Sequence, residues 1–199
     1  SMLEEASLPE HVVYRPQSLT AFGANQKLPV VVWGNGGCAN AGNAAREFLG
    51  ELASHGYLVI ASGPLKELPP PRAAAPSNPA PTAPAAAGAS GSPQRVGPPP
   101  GAPGTENLSR TAQLLDAITW ATAENQRSGS PYFGKLDTAK VATMGSSCGG
   151  LQAIEAAIDP RVTTTITWSS GLLDYARAGA NVTRADLPKL HGPVLYVTG

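Results

Sequence analysis

Lys140-Val141-Ala142-Thr143-Met144-Gly145-Ser146-Ser147-Cys148-Gly149-Gly150-Leu151-Gln152-Ala153-Ile154 decides how this chain is read. Its first five residues, with β-branched Val and Thr, read as a strand, and the stretch from Gly150 to Ile158 reads as a helix. Between them stands Gly145-Ser146-Ser147-Cys148-Gly149, a G-x-S-x-G sequence. A turn that reverses from strand to helix this tightly leaves no room for side chains on either flank, so glycine is required there. Ser147 would then stand above the sheet edge at the start of a helix. A plain glycine-rich turn is the alternative.

Working outward, the same alternation repeats. Leu28-Pro29-Val30-Val31-Val32-Trp33 is a short apolar run closed by Gly34-Asn35-Gly36-Gly37, and reads as a buried strand entering a loop. Asn43 to Ser54 spaces Phe48, Leu49 and Leu52 as a helix does, and His55-Gly56 ends it. Tyr57 to Ala61 is a second buried strand. Asn107 to Gln126 places Leu114, Leu115, Ile118 and Ala121 on one helical stripe. Thr163 to Trp168 and Val194 to Val197 are further strands, and His11 to Arg15 an early one. Strands alternating with helices predict an α/β fold with a mainly parallel sheet covered on both faces. In such a sheet ligands sit beyond the carboxyl ends of the strands. Function is therefore expected just after Trp33, Ala61, Met144, Trp168 and Thr198.

Composition narrows the classes. The 199 residues suffice for one domain, and 14 basic residues balance 14 acidic ones, so no field favours nucleic acid or an acidic membrane surface. No apolar run is long enough for a membrane span. From about 66 to 105 the chain is mostly Pro, Ala and Gly, a composition that cannot bury enough surface to offset its ordering entropy. It reads as an exposed insertion within one domain, with a linker between two domains as the alternative.

A serine presented in this way points to acyl transfer, which also needs N–H donors for the developing oxyanion. One expected donor is the backbone of Cys148. The other comes from the loop Gly34-Asn35-Gly36-Gly37-Cys38, where Gly36 and Gly37 let a substrate approach the backbone closely. A plain strand-to-helix turn is the alternative for this loop; neither G-x-G-x-x-G nor G-x-x-x-x-G-K-[ST] is satisfied, which weakens a phosphate-binding reading.

These motifs resemble the α/β-hydrolase superfamily, near its cutinase-like and dienelactone-hydrolase-like branch. Glu47 to Ile60, containing Ser54-His55-Gly56-Tyr57, is similar to that branch's helix and following strand, and Gly145 to Gly150 to its G-x-S-x-G-G elbow. The resemblance implies a serine hydrolase acting on a small-molecule or polymeric ester, with Ser147 as nucleophile, no cofactor and no metal. It places Cys38 at the first-loop donor position. The chain departs from the branch in carrying Cys at both donor positions, where bulkier residues are usual. If both N–H groups converge on one oxygen, Cys38 and Cys148 come within disulfide reach. Such a bridge, with the sequons Asn107-Leu108-Ser109 and Asn181-Val182-Thr183, would suit a secreted protein. Two free buried cysteines are the alternative.

A serine nucleophile needs a base, normally His oriented by Asp or Glu. The only histidines are His11, His55 and His191, each in a segment that begins or precedes a strand, and none is expected to serve. Asp174 is a substitute acid position in some members, with a solvated loop aspartate as the alternative. The expectation is a chain lacking its C-terminal strand and helix, its acid and histidine lying beyond residue 199. The remainder of its own chain or a covering partner would then complete it. An inactive binding or structural module, and an acyltransferase or peptidase with the same nucleophile, are the competing functions.

Overall fold

The computed structural model describes residues 1–67 and 107–198. Most of the predicted insertion (66 to 105) lies outside the described residues. Among the described residues seven strands form one sheet: β1 (Met2–Leu3), β2 (His11–Tyr14), β3 (Leu28–Gly34), β4 (Leu58–Ser62), β5 (Leu136–Ser146), β6 (Thr164–Trp168) and β7 (Val194–Val197). Their order is β1-β2-β4-β3-β5-β6-β7. The strands from β4 to β7 run parallel, and β1 and β2 are antiparallel additions at one edge. Three helices connect them: α1 (Arg46–Ser54), α2 (Thr111–Gln126) and α3 (Cys148–Ala156).

The period of two along each strand divides the core between the sheet's faces. Val30 and Val32 of β3, with Leu58 and Ile60 of β4, pack under α2 against Leu114, Ala117, Ile118 and Ala121. Val31 and Trp33, with Val59 and Ala61, face the other way onto Leu49 and Ala53 of α1. Strands buried on both faces are apolar without alternation, as β3 and β4 are in sequence.

Boundaries moved where pairing and turn geometry outweighed local pattern. β5 begins at Leu136, not Lys140, because its first residues pair with Leu28 and Pro29 before a register shift between Pro29 and Val30. α3 begins at Cys148, directly on the turn, instead of at Gly150. α1 and α2 start at Arg46 and Thr111, later than Asn43 and Asn107. β7, which among the described residues pairs with β6 alone, leaves Val194, Leu195 and Tyr196 roughly half exposed. Among the described residues no helix is long and apolar enough to cross a membrane.

Candidate active site

β3 and β5 lie side by side, Gly34 opposite Gly145, and both end at the same edge of the sheet. Directly after β5, Ser147 takes φ 51° and ψ −117°, a backbone region that L-residues other than glycine rarely occupy. The serine is solvent-exposed. Its N–H donates to the Trp168 carbonyl at 2.9 Å, and its own carbonyl accepts from the Gly150 N–H at 2.9 Å and the Ser170 hydroxyl at 2.8 Å. The strained residue is thus held from β6 as well as from its own helix.

The flanking glycines are dictated by backbone contact. A Cβ on Gly145 would lie 2.2 Å from the Gly149 carbonyl oxygen, and a Cβ on Gly149 would lie 2.0 Å from the Gly34 carbonyl oxygen. The turn after β5 and the end of β3 are therefore packed backbone against backbone.

The loop after β3 makes a 3₁₀ turn, Gly36–Cys38, with Gly37 at φ 65° and Cys38 at φ 49°. The buried side chain of Asn35 organises it. Its amide donates to the carbonyls of Ala39, Ala41 and Ser62 at 3.0–3.1 Å, and its oxygen accepts from the Trp33 indole at 2.8 Å. The Cys38 N–H donates to the Asn35 carbonyl at 3.1 Å. Gly36 and Gly37 are exposed, and their N–H groups have no partner among the described residues.

Cys38 and Cys148 form a disulfide, with Cα atoms 5.1 Å apart across 110 residues of sequence. Beneath it, the fully buried Gln152 of α3 donates to the carbonyls of Ser109 and Gly179 at 2.8 and 2.9 Å. Ser109 in turn donates its N–H and hydroxyl to the Cys38 carbonyl at 2.8 and 3.1 Å.

Beside this turn lies a cleft of about 440 Å³ lined by Trp33, Asn35, Gly36, Ala44, Ala45, Phe48, Ser146 and Trp168. Ser146, the residue before Ser147, lies in its wall. Trp33, Phe48 and Trp168 pack mutually at centroid distances of 5.4–5.7 Å in tilted and edge-on arrangements. The sequence reading did not single out these aromatics. The available signal was a Trp at the carboxyl end of each of two strands, where ligands are expected.

The other expected residues lie apart. His55, bonded to Glu51 at 3.1 Å, and His191, bonded to the Val162 carbonyl at 3.0 Å, precede β4 and β7 at the sheet edge opposite Ser147. His11 corrects the positional expectation. It begins β2, but β2 is antiparallel, so His11 pairs with Ser62 at the same edge as Ser147. Three strand spacings still separate β2 from β5, about 14 Å. Its Nε2 meets the Gln113 carbonyl at 2.7 Å, and burial holds the imidazole below its ordinary pKa. Asp174 is exposed and pairs with Arg184 at 3.6 Å. Among the described residues no cluster of three His, Cys, Asp or Glu could hold a metal.

No family model and no curated protein sequence matches the chain. Among solved structures, it is similar to a provisionally assigned dienelactone hydrolase from Klebsiella pneumoniae subsp. pneumoniae, with a TM-score of 0.54 and 18% identity. The alignment covers 94% of this chain and 65% of that one. The fold is that of an α/β-hydrolase. The likeness carries the fold alone and does not single out a cutinase-like branch. Within the α/β-hydrolase fold, Ser147 occupies the turn where β5 passes into α3, and the cleft opens at the carboxyl ends of β3, β5 and β6.

Proposed function

We propose that this chain carries the nucleophile-bearing portion of a serine hydrolase that cleaves carboxylic esters through an acyl-enzyme on Ser147. The observation that carries the reading is the φ of +51° at Ser147, held between glycines whose replacement would collide with backbone. Such strain persists only where the surroundings over-determine it, and it clusters at reactive sites. The neighbour's name, that of an enzyme hydrolysing a lactone, agrees with an ester substrate.

In this mechanism the Ser147 hydroxyl adds to the ester carbonyl while a base takes its proton. The oxyanion accepts from the Cys148 N–H at the start of α3 and from the turn Gly36–Cys38. Because Cys38 already donates to Asn35, Gly36 and Gly37 supply the unengaged N–H groups of that turn. The alcohol leaves with the proton, and water then releases the acid. The apolar cleft beside Ser147 suits a flat or aromatic group on the ester. The disulfide fits an oxidising, extracellular setting.

None of the three histidines comes within general-base reach of Ser147, so base and orienting acid come from outside the described residues. That placement also favours a second reading, a fold of this type serving as an inactive binding module. Fluorophosphonate labelling, with the segment that supplies base and acid present, separates them. The expected result is an adduct on Ser147 that is lost in Ser147→Ala; an adduct that survives the substitution overturns the assignment. On p-nitrophenyl acetate the 199 residues alone should leave only oxyanion and binding terms, about 10³–10⁴ over water. Turnover at ordinary esterase rates would show that a base lies within them.

A further inference from the structure

We infer that the Cys38–Cys148 disulfide is a positioning device for the candidate site, so that its reduction by a dithiol disables Ser147 chemistry while the sheet stays folded. The chemical consequence rests on the ester-hydrolase reading above; the mechanical claim stands without it.

The bridge joins the two segments that would have to share one oxyanion. Cys148 follows the nucleophile position directly, and Cys38 ends the turn that supplies Gly36 and Gly37. Other ties on the first loop run elsewhere. Asn35 fastens it to Ala39, Ala41 and Ser62, and Ser109 holds the Cys38 carbonyl. Among the described residues no hydrogen bond links residues 35–39 to residues 145–150 directly. The disulfide is the direct bond between them.

Cys38 also has a reason to move. Its φ of 49° is left-handed, as is that of Gly37, and a β-carbon-bearing residue stays there only under constraint. Gly179 is pressed against it closely enough that a Cβ there would sit 2.6 Å from the Cys38 sulfur. Once the S–S bond is cut, the two sulfurs must separate from bonding to van der Waals distance. The glycine-rich turn is the softest element available to yield. The sheet is held independently by the two core layers on either side of β3 and β4.

Access is asymmetric, because Cys38 is fully buried and Cys148 is partly exposed. A dithiol therefore attacks the Cys148 sulfur as thiolate, forming a mixed disulfide and expelling Cys38 as thiolate. The reductant's second thiol then displaces Cys148 and closes the reductant's own disulfide. Two electrons and two protons pass from the dithiol to the two cysteine sulfurs.

The test compares the protein before and after brief dithiothreitol treatment, by amide hydrogen exchange on the 199-residue chain and by fluorophosphonate labelling rate with the segment that supplies the base present. The expected result is exchange at residues 35–42 faster by about tenfold or more, with β3 and β5 still protected. Labelling of Ser147 should slow by about 10²–10³, as for loss of an oxyanion donor. Re-oxidation should restore both, and Cys38→Ala/Cys148→Ala should reproduce the reduced state. Unchanged loop exchange overturns the inference, and so does simultaneous loss of protection in β3 and β5, which would make the bridge a global staple. If the double variant does not fold, the brief reduction still decides. Labelling that persists in Ser147→Ala while the loop responds as expected overturns the ester-hydrolase reading and leaves the positioning role standing.

Discussion

Replacing Gly149 by Ala tests whether the turn carrying Ser147 is built on backbone contact. The added Cβ would lie 2.0 Å from the oxygen and 2.1 Å from the carbon of the Gly34 carbonyl. Heavy atoms pack favourably at about 3.5 Å, so the start of α3 and the end of β3 would have to part by roughly 1.5 Å. No rotamer change relieves this, because the obstacle is main chain and Gly34 is tied into the ladder opposite Gly145. Overpacking costs about 1–3 kcal/mol, and a rigid backbone neighbour puts this case at about 3 kcal/mol or above. In a domain this size each kcal/mol moves Tm by about 2–4 °C, so the expected loss is roughly 6–12 °C. Gly50→Ala is the control. It lies inside α1 with nothing within 4 Å of its Cβ position, and should stabilise by about 0.5–1 kcal/mol. Thermal unfolding of the oxidised proteins, followed by near-UV circular dichroism, reads both. A Gly149→Ala protein melting within about 2 °C of the parent would refute the close packing of turn and strand.

Burial keeps His11 neutral in the fold, its pKa lowered by desolvation against the opposing pull of the Gln113 carbonyl, while the unfolded chain titrates near its ordinary value of about 6.5. Stability should therefore fall as pH drops below about 6.5, seen as a lower urea midpoint at pH 5.5 than at 7.5, and His11→Gln should remove that component. Glu124, its carboxyl held below the usual range chiefly by Arg127 and also by Ser130, should stabilise fully above the unfolded carboxylate pKa and lose that contribution as pH falls through its depressed value. Glu124→Gln should cost about 1–3 kcal/mol at pH 7 by chemical denaturation, the difference shrinking in acid. Trp168→Ala should raise KM for aryl over alkyl esters by about 2–10-fold through lost ring contact, and equal effects on both would remove the aromatic role of the cleft. Passage of the chain through a eukaryotic secretory pathway should add an amidase-sensitive glycan at the exposed Asn181, read as a mass shift lost in Asn181→Gln.

The apolar runs at 30–32 and 58–60 announce central strands because both faces are buried, which removes alternation and leaves a plain apolar run. The turn at Ser147 was legible for the same kind of reason: two glycines at fixed offsets record a contact that admits nothing larger. What stayed hidden depended on partners distant in sequence. β1 is two residues long and exists only by pairing with β2. The direction of β2, which brings His11 to the Ser147 edge, is set by pairing with β4 and leaves no trace in a four-residue run. Trp33, Phe48 and Trp168 converge because β3, α1 and β6 end together, and their spacing of 15 and 120 residues matches no local period. Gln152 carries no mark in the sequence beyond its place in a helix, since its loop partners at Ser109 and Gly179 come from either side in sequence.

One wall of the cleft is made of Ala44 and Ala45, the shortest side chains that still point away from a backbone. Both lie just before α1, clear of the crowded glycine contact, and are at least partly open to solvent. Enlarging either to Val or Leu would shorten the cavity without touching the turn at Ser147. Under the proposed ester-hydrolase function this would shift preference towards smaller acyl groups, and retuning has its handle there, on two methyl groups that leave the turn at Ser147 in place.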